Sequence, residues 1–442
     1  MGLGVGFTAA TSAGRTAAPM SGSPDGMRER QVAIITQPID PLETVAPTVL
    51  EGERWRRWLG LFILLAGGMI TTLVFTSVVP GLQKIAEHFK GGDSIFSAQL
   101  VVTMGPAGMA IAGPVAGWVI RRVGMRRTLF VGLALATFAG TCQLWVDSLP
   151  LLLASRFLLG ASVISVDVAL TTILGARYAG PGRARLVGFR GAIASVGTVT
   201  TMLFSGYLVQ TYGWRAPAWM FALPLIFLIL SVVAFNRPLE QADNKSEARA
   251  LERFSVLDLW PIYLLSFIMS MAHTMPSFQL PFLLKENGIT SAILVSRVPS
   301  LSAFVGIMTA LCFGFIYSRI GRFTFVLASV CMGLGFIGVG FAPSYGAILA
   351  CVVIEGIGAG MTQPYFASRV LDRVTAAQRG QAMGFMLSAV FIGHFMNPII
   401  VKPIRDAVGI HMTFALVGAF LIAAAAVLGL RAVATRGQST IV

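Results

Sequence analysis

Apolar stretches of about twenty residues recur along the chain with short polar connections between them. Twelve can be marked: 58–80, 97–120, 128–147, 150–174, 190–210, 216–236, 258–284, 297–317, 323–342, 345–367, 381–402 and 410–431. A helix needs about 20 apolar residues to cross a hydrocarbon core about 30 Å thick. Inside that core every backbone group must find its partner within the protein, so helices are the form such stretches take. The pattern predicts an all-α membrane protein with twelve transmembrane helices. Composition excludes the soluble alternative: charged residues make up 12% and hydrophobic residues 55%, whereas a soluble domain carries about 25% charged residues. Pro114, Pro224, Pro276, Pro281, Pro364 and Pro398 fall inside these stretches, where neighbouring helices can satisfy the carbonyls that proline frees.

Lys and Arg set the orientation. One alternating set of connections, with the residues flanking the first and last stretches, holds 22 of them and the opposite set holds 7. Both termini are expected on the cytoplasmic side, which places the chain in a plasma membrane, in bacteria the inner membrane. The net charge of +14 is thereby a matter of topology and calls for no nucleic-acid partner, since it forms no basic patch on a soluble face. Residues 1–53 lack an apolar core and read as a disordered cytoplasmic tail, with Met1, Met20 and Met27 as alternative starts. The expected layout continues with a six-helix bundle over 54–236, a charged cytoplasmic linker over 237–257, a second six-helix bundle over 258–433 and a tail over 434–442.

The halves repeat. GWVIRRVG at 117–124 faces GFIYSRIG at 314–321, an offset of 197, and GRARLVGF at 182–189 faces QRGQAMGF at 378–385, an offset of 196. Arg122 thus matches Arg319, Gly124 matches Gly321, Arg183 matches Arg379 and Gly188 matches Gly384. The run from Gly117 to Arg127 resembles the loop motif G-x-L-x-D-R-x-G-R-R of the major facilitator superfamily, and RFLLG at 156–160 resembles its helix-four R-x-x-x-G pattern. Arg121 stands where that motif has an acid, and Ser318 holds the equivalent place in the second copy. The resemblance covers roughly residues 55–435 and implies two pseudo-symmetric bundles that alternate access to a central site. It also implies gate loops at Gly117, Arg121, Arg122, Gly124, Arg126 and Arg127 and at Gly314, Arg319, Gly321 and Arg322.

Ionisable residues at membrane depth are costly and mark function. Arg156 and Asp167 lie eleven residues apart, within about 20° on one helix face, and are expected to form one polar stripe. Glu355 sits mid-stretch ahead of GIGAG at 356–360, His273 falls inside another stretch, and His394 with Asn397 share a face. In the resembled family helices one, four, seven and ten line the cavity, and Arg156, Asp167, His273 and Glu355 fall on that set. Asp167 or Glu355 would exchange a proton, a role suited to a carboxyl in a low-dielectric cavity, while Arg156 would draw an anionic group. Cys142, Cys312, Cys331 and Cys351 show no metal or disulfide spacing. No metal or other cofactor is expected.

These features favour a secondary transporter of small organic solutes, coupled to protons and acting as a monomer in the lipid bilayer. Export of a drug or metabolite leads, on the Met-rich run Met269, Met271 and Met275. Uptake of a small carboxylate, favoured by Arg156, is the rival. A non-transporting sensor on the same scaffold and a membrane-embedded enzyme using Asp167, Glu355 and the histidines are the readings from other classes. No HExxH or nucleophile elbow supports the enzyme, and GLGFIG at 333–338 lies mid-stretch with no strand before it.

Overall fold

A computed structural model describes residues 54–89, 92–178, 180–235, 256–375 and 378–434. The expected tail 1–53, the linker up to residue 255 and the end from 435 lie outside the described residues. Helices account for the regular structure there, with no strand. They are α1 Arg54–Ala66, α2 Gly68–Thr76, α3 Leu82–His88, α4 Ser94–Val123, α5 Met125–Thr141, α6 Leu149–Arg177, α7 Gly180–Tyr212 and α8 Ala222–Ala234. The second half follows with α9 Trp260–His273, α10 Met275–Phe278, α11 Leu280–Glu286, α12 Ala292–Ile320, α13 Thr324–Phe341, α14 Tyr345–Leu371 and α15 Arg379–Ala434. Among the described residues nine stretches are long and apolar enough to cross a membrane. Two of them, Ala292–Phe341 and Arg379–Leu430, are interrupted by glycines of positive φ, Gly321 and Gly409. The segment expected as one helix over 258–284 is broken into α9, α10 and α11. Pro276 and Pro281 sit at the starts of the latter two, where a residue without N–H interrupts the helical ladder.

The sequence repeat has a conformational cause. Gly124 (φ 93°, ψ 147°) ends α4, and Gly321 (φ 52°, ψ −121°) ends α12. Both turns need a backbone conformation closed to side-chain-bearing residues. A second pair of equivalent positions is explained by packing. A Cβ on Gly160 of α6 would overlap the Gly105 carbonyl of α4, and one on Gly360 of α14 would overlap the Gly306 carbonyl of α12. Small residues let these helix pairs cross at backbone contact, a device suited to helices in lipid. Between the halves, α4 packs on α15 and α7 on α12.

Candidate functional site

The end of the molecule expected to face outside is bridged by side chains that join the halves. α11 begins after a break, so carbonyls there lack helical partners. Phe282 N–H bonds Gln279 O at 3.1 Å, and the Phe278 carbonyl instead accepts from the Gln99 amide of α4 at 3.0 Å. Gln83 of α3 donates to the carbonyls of Pro281 and Ile289. Gln99 also donates to Gln279 Oε1 at 2.8 Å, Gln279 donates to Asn397 Oδ1 at 3.0 Å, and Asn397 donates to Met271 O at 2.9 Å. At the rim Asp93 pairs with Lys402 at 2.6 Å and Arg405 at 3.2 Å, and Glu87 pairs with Lys285 at 2.7 Å. Burial pushes the Asp93 carboxyl up, but the Lys402 hydrogen bond, the Phe96 N–H and the charges of Arg405 and Lys402 outweigh it and hold it below the usual carboxylate range. Asn397, expected beside the transport pathway, belongs to this outer bridge.

Deeper in, His273 at the end of α9 and His394 of α15 line one small cavity with Ser266, Ser270, Thr362 and Gln363. The two imidazoles interact electrostatically. The other half reaches the same place: the Phe75 ring of α2 meets the His394 ring edge-on at 5.6 Å between centroids. The cavity encloses about 40 Å³, and a water needs roughly 10–15 Å³ by this measure. In this conformer it holds a few waters and no organic solute.

The remaining candidates each have a separate neighbourhood. Glu355 is fully buried where α14 crosses α12. Its Oε2 accepts from the Ser302 hydroxyl at 2.6 Å, while Oε1 has no hydrogen-bond partner among the described residues. Asp167 of α6 pairs with Arg190 of α7 at 2.6 Å and accepts from Thr71 of α2 at 3.3 Å, with Arg190 also bonded to Thr171. Arg156 is 1% exposed. It donates to Gln143 and stacks over Phe221 at 5.8 Å, and Gln143 in turn donates to Trp214 O. The expected stripe of Arg156 and Asp167 is therefore not formed: helical phase aligns them, but each is taken by a different neighbouring helix.

At the opposite end the expected gate arginines lie on aromatic rings. Arg122 sits over Trp118 at 5.7 Å and its counterpart Arg319 over Phe315 at 5.1 Å. Arg126 lies over Phe130 and Arg322 over Phe323. Arg121 and Arg127 are exposed, and Gly117 and Gly314 lie on α4 and α12. Thr71, Phe75 and the glutamines escaped the sequence reading because it screened for charge. Arg190 was visible but counted with the loop arginines.

The family profile of the Major Facilitator Superfamily matches residues 64–398. The chain belongs to this superfamily. A relative named as a 2-nitroimidazole transporter, from Escherichia coli (strain K12), is 25% identical over 361 residues, covering 78% of this chain and 89% of that protein. Multidrug resistance protein Stp of Mycobacterium tuberculosis (strain CDC 1551 / Oshkosh) is 28% identical over 159 residues, covering 36% of this chain and 28% of that protein. In fold the chain is similar to a D-xylose-proton symporter, with a TM-score of 0.68 at 14% identity over 84% of this chain and 96% of that one. Members of the superfamily are multi-pass membrane transporters of small molecules and not enzymes, so the enzyme reading falls.

Proposed function

We propose that this chain exports a drug-like or metabolic organic solute by proton-coupled alternating access. It would work as a monomer in the bacterial inner membrane, with twelve crossings in two six-helix bundles. The observation that carries the reading is the central cavity, lined by His273 and His394 and reached by Phe75 from the other half, beneath an outer end held shut by inter-half bridges. A site shared between two moving bodies changes exposure when they rock. The relatives named as nitroimidazole and multidrug proteins support an organic solute. Uptake of a carboxylate loses its main support, because the Arg156 guanidinium is sealed against Gln143 and Phe221.

Glu355 is the proposed proton carrier. A carboxyl that meets water in one conformer and a dry helix interface in the other exchanges a proton during the cycle. The test compares solutes inside and outside cells that lack or overproduce the protein, then follows the responding solute in proteoliposomes. Overproduction should lower it inside and raise it outside. Glu355→Gln should lose accumulation driven by a pH gradient, by tenfold or more, while retaining solute exchange at equal pH. Gradient-driven accumulation at the unmodified rate would remove Glu355 from the coupling, and solute rising inside on overproduction would reverse the direction.

A further inference from the structure

We infer that the central cavity is built for an uncharged, planar, hydrogen-bonding solute, recognised by His394 and Ser266. The inference rests on reading this cavity as the transport site and adds the chemical class of the solute. It begins with which polar atoms are already engaged. The Ser270 hydroxyl donates to the Val390 carbonyl at 2.7 Å and the Thr362 hydroxyl to the Gly358 carbonyl at 3.1 Å. His394 Nδ1 and Ser266 Oγ, in contrast, are buried with no partner among the described residues. A buried polar atom without a partner carries a desolvation penalty of about 1–3 kcal/mol, which a ligand that satisfies it removes. An imidazole nitrogen donates or accepts according to its tautomer, so the pair can meet an amide, a nitro group or a ring nitrogen.

Charge argues for a neutral solute. The cavity lining holds no carboxylate, ammonium or guanidinium, and a charged solute entering it would leave water without a counter-charge. The nearby ionisable groups are already engaged: Asp167 with Arg190, Arg156 with Gln143, and Glu355 with Ser302. Shape argues for a ring. Phe75 and Phe391 stand edge-on to His394, with centroids at 5.6 and 6.0 Å, and Phe366 lines the same space. Aromatic walls favour a flat guest that can stack or meet them edge to face.

The probes are nicotinamide, nicotinate and 1-methylnicotinamide, one ring carrying no charge, a negative charge and a positive charge at neutral pH. Binding to the purified full-length protein is read by its shift in unfolding temperature. Nicotinamide should bind at least tenfold more tightly than either charged analogue. His394→Ala and Ser266→Ala should each weaken nicotinamide about tenfold, and His394→Gln, which keeps a polar tip, should retain part of the affinity. A charged analogue binding as well as nicotinamide, binding by none of the three at 10 mM, or unchanged affinity in His394→Ala would each overturn the inference. Preference for a charged analogue with intact solute flux would leave the transport reading standing. Nicotinamide bound with no flux of any solute would instead keep the binding class and sink transport.

Discussion

Asp167 shows what one residue gains from its neighbour. Taken alone in the sequence it is an acid at membrane depth, and its replacement by Asn should leave the fold intact. In the structure its side chain is 33% exposed and holds Arg190, which is only 10% exposed. Removing one member of such a pair costs between the ~1 kcal/mol of an exposed bridge and the ~3–5 kcal/mol of a buried one. Asp167→Asn is therefore expected to lower thermal stability in detergent as well as transport. The double variant Asp167→Asn with Arg190→Gln should recover stability and most solute exchange, since neither charge is then stranded. A stable double variant without exchange would instead assign Asp167 a direct part in the pathway. The histidines were legible because only four occur in the chain and two fall in apolar stretches. The Asp167 partner was not, because it lies across a turn on the next helix.

At the scale of elements, the repeated glycines make a sharp test. Gly124 and Gly321 are constrained by φ, with nothing close to where a Cβ would point, whereas Gly160 and Gly360 are constrained by a backbone that crosses them. Gly124→Ala or Gly321→Ala should cost about 1–3 kcal/mol through backbone strain alone, read as a lower unfolding temperature with helix content unchanged. Unaltered stability in both would mean that these turns relax freely. The apolar stretches were legible because lipid demands them continuously along the chain. The division of 260–286 was not, because proline inside a membrane helix is tolerated or disruptive according to what lies beside it. Here the Gln99 amide satisfies a carbonyl at the break, and no local pattern announces a partner 179 residues away.

For the whole molecule, the outer bridge sets the balance between its conformers. Asp93→Asn removes the pairs to Lys402 and Arg405, and Gln99→Leu removes the contacts to Phe278 and Gln279. At about 1 kcal/mol per lost hydrogen bond, each should raise the outward-open population roughly fivefold. A cysteine introduced at Ile95 and labelled with a membrane-impermeant maleimide reads this as faster modification, and unchanged rates would assign closure elsewhere. Because the Asp93 carboxyl is held below its usual range, its contribution is complete above that range and is lost only as pH falls through the lowered value. Labelling of the unmodified gate should accordingly be level between about pH 5 and pH 8. The same closure mixes two chemistries with different responses to ionic strength. Raising salt from 0.1 M to 1 M shortens the screening length from about 10 Å to about 3 Å and weakens the Asp93 and Glu87 pairs at the rim, but leaves amide-to-carbonyl bonds nearly untouched. A cell moved from fresh water to brine would thus keep the inner part of this door shut on its glutamines while the charged rim slackens.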